Sequence, residues 1–268
     1  MRCLVVADLH YSLPQYDWVA NVAADFDLVI IAGDHIDLSS HVDFRAQAVV
    51  IANYLELIRA KTRLFTCSGN HDLDSRDEAG EKTAKWISDA ARLDVPVDGQ
   101  SLQIGDALFS ICPWWDGPLA RERLAGQLAN DAQKPKKAWY WVHHAPAQGS
   151  PTSWTGSKSF GDAALLEWIN AYKPDMVFSG HVHQSPFAKG GSWVDQIGST
   201  WVFNMGQHSG APPAHIIFDT AQNEAVWQSA AGIQTVRLGE PLARPLPNLG
   251  APPAWLTSQD RAAGLSPG

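Results

Sequence analysis

Thiols are scarce in this chain, basic residues are outnumbered, and no apolar run is long. Its 268 residues include three cysteines, Cys3, Cys67 and Cys112. Their odd number and wide spacing exclude a disulfide framework and fit buried, reduced thiols inside strands. Lysine and arginine total 20 against 28 acidic residues, for a net charge of −8. That balance disfavours a nonspecific grip on a nucleic-acid backbone, which needs a basic face. The basic clusters Lys134-Pro135-Lys136-Lys137 and Arg121-Glu122-Arg123 read as solvated surface. The longest apolar stretches, such as Leu28–Ala32, stop at Gly or Asp, so no membrane span is expected. Residues 1–7 leave no room for a signal core and a cleavage site. The expectation is a cytoplasmic protein.

The length, with an apolar content of 45%, suffices for one large domain with a real core or for two small ones. Strand-like runs recur at 2–7, 27–32, 63–67, 107–112, 138–142, 176–179, 200–204, 215–218 and 225–228. The early ones are continuously apolar, as in strands covered on both faces. Helical patterns fall at 42–59, with Ile51, Leu55 and Ile58 as a core stripe, and at 78–93, with Trp86, Ala90 and Leu93. Two more fall at 118–128, opened by Pro118, and at 162–172, with Asp162 as N-cap and Lys173-Pro174 as its end. Alternating strands and helices, then mainly strands, predict sheets with helices packed outside. Residues 1–238 form the expected domain. Residues 239–268 hold six of the 17 prolines and read as an extended Pro/Gly-rich tail, with Trp255 and Leu256 able to dock.

Five short motifs follow apolar runs in order. They are Asp8-Leu9-His10, Gly33-Asp34-His35-Ile36-Asp37, Gly69-Asn70-His71-Asp72, His143-His144 and Gly180-His181-Val182-His183. Each alone is a common turn sequence. Together they supply carboxylates, imidazoles and one amide at the ends of strands, where a rigid sheet positions loops. Oxygen and imidazole donors suit divalent metals. Residues two apart on a strand face one side, so Asp8 and His10 can reach one ion, and His181 and His183 repeat that spacing. A carboxylate such as Asp34 has two oxygens and is able to bridge.

The set resembles the calcineurin-like metallophosphoesterase superfamily, with its D-x-H, G-D-x-x-D, G-N-H-D/E, H-H-x-P and G-H-x-H elements. The stretch Phe203-Asn204-Met205-Gly206 resembles that superfamily's Asn-x-Gly strand. The resemblance implies an α/β fold, a two-sheet β-sandwich flanked by α-helices on both outer faces. It implies two divalent ions, of manganese, iron or zinc. Asp8, His10 and His183 would hold the first, Asp34 would bridge, and Asn70, His143 and His181 would hold the second. His71, paired with Asp37, would act as the general acid. A hydroxide bridging the metals would attack phosphorus.

Of the adjacent pair, the H-H-x-P form points to His143 as the ligand, which leaves His144 to face the substrate or to cap the strand end. His35 reads as a packing residue. Trp114 and Trp115 follow a strand and offer a ring surface near the cleft. Trp154, in the polar stretch 148–159, suggests one wall of a pocket, and His208 lies within reach of the last motif. The expected substrate is a small-molecule phosphodiester or phosphomonoester, nucleotide-like by family analogy. A nuclease and a noncatalytic metal-binding scaffold are the alternatives. The acidic balance counts against the first and the complete donor set against the second. The Arg-containing signatures of protein phosphatases are absent.

Overall fold

The computed structural model describes residues 1–257, and residues 258–268 lie outside the described residues. The first half alternates β1 (Arg2–Val6), α1 (Leu13–Val22), β2 (Leu28–Ala32), α2 (Phe44–Arg59) and β3 (Arg63–Cys67). A hairpin of β4 (Ser75–Arg76) and β5 (Lys82–Thr83) leads to α3 (Lys85–Ala90). Then come β6 (Ser101–Ile104), β7 (Ala107–Ile111), α4 (Pro118–Ala132), β8 (Ala138–Val142), α5 (Ala163–Tyr172) and β9 (Met176–Ser179). The remainder is β10 (Val194–Ile197), β11 (Thr200–Asn204), β12 (His215–Asp219), β13 (Glu224–Ser229), β14 (Gly232–Arg237), β15 (Asn248–Leu249) and α6 (Ala254–Thr257).

Two large sheets result, ordered β15-β14-β13-β12-β1-β2-β3 and β10-β11-β9-β8-β7-β6. Strands β1, β2 and β3 run parallel, with Val5 opposite Ile30 and Ile30 opposite Phe65. Strands β7, β8, β9 and β11 are likewise parallel. Side chains alternate across a strand, and that alternation sorts them into layers. Val5, Ile30 and Phe65 meet Val142, Phe178 and Phe203 in a core shared by the two sheets. Leu4, Val29 and Ile31 face the other way, onto Val19 of α1, Ile51 and Leu55 of α2 and Ile87 of α3. Trp139, Trp141 and Val177 of the second sheet pack on Leu124 and Leu128 of α4 and Leu165 and Ile169 of α5. The architecture is the expected sandwich with helices on both outer faces.

Helix α2 starts one residue after Asp43, whose side chain accepts from Arg45 N, and α5 is capped by Asp162 as expected. The helix expected over 78–93 is mostly not one. Asp77 Oδ1 accepts from Ala79 N and Glu81 N, each at 3.0 Å. Gly80 takes φ +83°, and the chain turns back as the β4–β5 hairpin. Turn chemistry here overrides a helical apolar period; only Lys85–Ala90 is α-helical, followed by a 3₁₀ turn over Ala91–Leu93. Helix α1 was not expected. Its signal is Pro14 in the first turn, then buried Tyr16, Val19 and Ala20. Of the unforeseen strands, β6, β10 and β15 are short, and β14, though six residues long, is mostly half-buried or exposed. All three cysteines are buried and unpaired.

The chain from 239 to 257 lies against both sheets. Leu249 pairs with Ile233 on β14. Arg244 Nη2 donates to Val194 O at 2.9 Å on the edge of the second sheet. The Trp255 ring sits under the Arg2 guanidinium, and its Nε1 donates to Glu224. Among the described residues no helix is long and apolar enough to cross a membrane.

Candidate metal centre

The parallel strands end at one rim of the sandwich. Loops after β1, β2 and β3 meet loops after β8 and β9 there, because carboxyl ends of parallel strands share one edge. The two sheets are tied at this rim by hydrogen bonds. His181 N donates to Asp8 Oδ1 and Oδ2 at 3.0 and 3.1 Å. His144 Nδ1 donates to Ala32 O at 2.7 Å. Trp114 N donates to Ser68 Oγ at 2.9 Å.

The donors form two groups that share one residue. Asp8, His10, Asp34 and His183 each place a ligand atom within 4.8 Å of the others, and so do Asp34, His144 and His181. Asp8 Oδ1 lies 3.2 Å from His183 Nε2, and Asp34 Oδ2 lies 3.1 Å from His144 Nε2. Asn70 joins the second group by accepting from His181 Nδ1 at 2.8 Å. Asp34 is fixed from behind, since its Oδ1 accepts from His71 N at 2.9 Å.

Three observations fit this rim to metal ions. The Nε2 atoms of His10 and His183 approach to 3.1 Å within one Asp/His donor group. His10 Nδ1 is engaged by Ile36 O and His144 Nδ1 by Ala32 O, and carbonyls in those positions leave Nε2 for a metal. Buried His144 Nε2 faces the Asp34 and Asp8 carboxylate oxygens at 3.1 and 3.7 Å, a mixed donor set that suits a divalent cation. Furthermore Asp8, His10, Asp34 and His181 all have φ between 40° and 67°. Left-handed backbone at a non-glycine costs on the order of 1 kcal/mol and clusters at functional sites.

The motif glycines have a steric reason. A Cβ on Gly69 would collide with the Asp34 carboxylate, and one on Gly180 would collide with the Asp8 carboxylate and Ala7. Each glycine lets a neighbouring motif's acid come close. Asp72 performs the other fastening. Its fully buried carboxylate accepts from Asp34 N (2.9 Å) and Gly69 N (2.8 Å) on one oxygen, and from His35 N (2.9 Å) and Ile36 N (3.2 Å) on the other. The second and third motif loops are thereby one unit.

Charge is unevenly shared. Burial opposes a charged His144 ring, but Asp34 and Asp8 outweigh it and raise its pKa to about 10. Burial also works against the Asp34 carboxylate, yet His144 and His71 hold it below the usual carboxylate range. His181 falls to about 4, through burial first and the charge of His144 second. His35 falls to about 3 through burial. Its Nδ1 meets Tyr16 Oη and its Nε2 meets Thr66 Oγ1, both at 2.7 Å, so it is a packed core group.

Two expectations need correcting. The donor groups include His144 rather than His143. Neighbouring residues at a strand end point to opposite sides, so His144 faces Asp34 while His143 turns its Nε2 toward Asp162 Oδ2 at 3.4 Å. Nor does Asp37 pair with His71. Its Oδ1 accepts from Ser39 N and Oγ at 2.8 and 2.6 Å, and His71 Nδ1 is without a hydrogen-bond partner among the described residues. The His71 ring packs edge-on against His10 at 4.7 Å.

Trp114 sits beside the centre, 5.1 Å from the His181 ring and 5.8 Å from that of His144. Trp115 lines a neighbouring cavity with His143, Phe160, Asp162 and His181. Trp154 instead donates to Lys189 O; of the stretch 148–159, Ser159 lines the cavity, and Phe160 follows just outside it. His208 Nδ1 meets Ser209 O, and His208 belongs to neither donor group. Asp162 read only as a helix cap in sequence. It also receives Trp115 Nε1 at 2.8 Å, a contact between distant segments with no local signal.

Residues 1–185 match the family model described as calcineurin-like phosphoesterase. The chain belongs to that family. Family members bind divalent metals, and the Asp/His groups at the rim are this chain's metal-binding cluster. Among solved structures, TT1561 of Thermus thermophilus is 14% identical with a TM-score of 0.53, covering 88% of this chain and 98% of that one. Purple acid phosphatase PPD1 from yellow lupin (Lupinus luteus) seeds is 16% identical with a TM-score of 0.55, covering 90% of this chain and 52% of that one. This phosphoesterase-family chain thus spans about half the length of the lupin protein. At such identities the likeness shows the fold. No curated protein matches this chain.

Proposed function

We propose that this family member is a metal-dependent hydrolase of small-molecule phosphodiesters or phosphomonoesters, working at a two-metal centre. The observation that carries the reading is the sharing of Asp34 between two donor groups. Asp8, His10 and His183 would hold one ion and Asn70, His144 and His181 the other, with Asp34 common to both. When bound, the pair supplies Lewis-acid polarisation of phosphoryl oxygens and acidification of water. The remaining work falls to the chain. Carbonyls of Ile36 and Ala32 hold the His10 and His144 rings with Nε2 facing the carboxylates. Asp72 keeps the backbone of Asp34 in place. His71, fixed by its N–H to Asp34 and its edge contact with His10, is the proton donor to the departing oxygen.

The test begins with protein purified without added metal. Bound metal is quantified, and turnover is measured with manganese on an aryl phosphodiester and an aryl phosphomonoester, beside Asp34→Asn. Two metals per chain and turnover abolished in the variant are expected. Metal binding without turnover on any ester would make the chain a scaffold. Absence of metal would remove the reading altogether.

A further inference from the structure

A cavity of about 550 Å³ opens beside the donor groups, with His181 common to both. Its size and lining are those of a small-molecule site. Trp114, Trp115 and Phe160 give it three aromatic side chains. Its charged groups are already engaged. Asp162 Oδ1 caps α5 by accepting from Ala164 N and Leu165 N, and its Oδ2 takes Trp115 Nε1 and faces His143. Burial works against this carboxylate, but His143, Trp115 and the helix N–H groups bring its pKa down to about 2. Arg121 pairs with Glu167 at 3.3 Å and lies over the Trp115 ring at 5.8 Å. Asp162 is thus satisfied internally, while the Arg121–Glu167 pair stays exposed to solvent, so the cavity offers a guest ring surface beside a solvated ion pair. Phe160 is 48% exposed at the cavity wall, with the Lys158 ammonium over its ring at 4.3 Å.

We infer that this cavity binds a flat aromatic ring in the organic part of the ester, so that the substrates are phosphate esters of ring-bearing alcohols. The inference rests on the phosphoesterase reading for the phosphate end and on the cavity alone for the ring end. A ring seated against Trp114 has its phosphate within reach of His181 and His144, because Trp114 packs on both. Two aromatic contacts in offset or edge geometry correspond to between about five-fold and about a hundred-fold in affinity.

The experiment uses the metal-loaded full chain and three probes. These are 2-naphthylmethyl phosphate, cyclohexylmethyl phosphate and 2-naphthylmethanol, the last followed by tryptophan fluorescence. The expected result is a KM about ten-fold lower for the naphthyl ester than for the cyclohexyl ester. The alcohol alone is expected to quench fluorescence saturably. Trp114→Leu and Phe160→Ala should each shrink the KM ratio several-fold and weaken the alcohol, at an unchanged melting temperature. Equal KM values with no alcohol binding would overturn the inference while leaving the phosphoesterase reading intact. Alcohol binding with no turnover of either ester would sink the phosphoesterase reading and, with it, the assignment of the ring to a substrate. A KM ratio that survives both substitutions would place the ring elsewhere and overturn the inference.

Discussion

Asp72→Asn tests how the two central motif loops are fastened. Both Asp72 oxygens are in use, each accepting two backbone N–H groups, at 2.8 to 3.2 Å. An asparagine keeps the shape and one oxygen but turns the other acceptor into an NH₂ donor. Two N–H groups then face a donor in a site closed to water. Each unsatisfied buried donor costs about 1–3 kcal/mol. Some of that is offset, because burial and the neighbouring Asp34 charge already raise the Asp72 pKa. The net loss is about 2–4 kcal/mol. The donors involved belong to Asp34, His35, Ile36 and Gly69, so the shift also moves a proposed shared ligand. Outer partners of metal sites typically change affinity by about 10–100-fold. Urea denaturation of the metal-free protein measures the first effect and titration with manganese the second. A variant within about 0.5 kcal/mol of the parent, with unchanged metal affinity, would refute the reasoning that this carboxylate holds the loops.

Three further predictions follow from the same geometry. His144→Ala should lower bound metal by about one ion per chain and His143→Ala should not, as read by elemental analysis; the reverse pattern would restore the sequence expectation. Gly180→Ala should displace the Asp8 carboxylate and lower metal affinity without removing any ligand, so an unperturbed titration would contradict the steric account. His215 is buried, and that burial lowers its pKa to about 4 from the ordinary value near 6.5. Its contribution to stability is therefore present above about pH 6.5 and is lost as pH falls through about 4, amounting to roughly 3 kcal/mol at most. Urea denaturation across that window should show a shallower acid loss in His215→Gln; identical slopes would rule the histidine out as the cause.

Much of the fold was legible because its strands are short, apolar and bounded by glycine or aspartate. Strands β3, β8, β9 and β11 run as the pattern predicts, since continuous apolar runs covered on both faces have little other use. The segment 78–93 was misread because Trp86, Ala90 and Leu93 share a helical period, while Asp77 and Gly80 carry the turn. The two signals compete locally, and hydrogen bonds to Asp77 decide. Helix α1 was missed because its buried face includes Gln15, whose Nε2 donates to His208 O and Gly210 O from a segment far along the chain.

At the site, the residue types and their order are properties of the sequence. Asp8, His10, Asp34, Asn70, His181 and His183 follow apolar strands whatever the packing, and strand ends are where a sheet presents loops. Which histidine of the 143–144 pair faces Asp34 depends on the pleat at the end of β8 and on a carbonyl from the other sheet, Ala32 O. Asp37 turning to Ser39, Asp72 gathering four N–H groups, and Asp162 joining Trp115 to His143 are likewise decided in three dimensions. Sequence sets the chemistry available and the local backbone; direction, partner and distance arise only when segments remote in the chain close on one another.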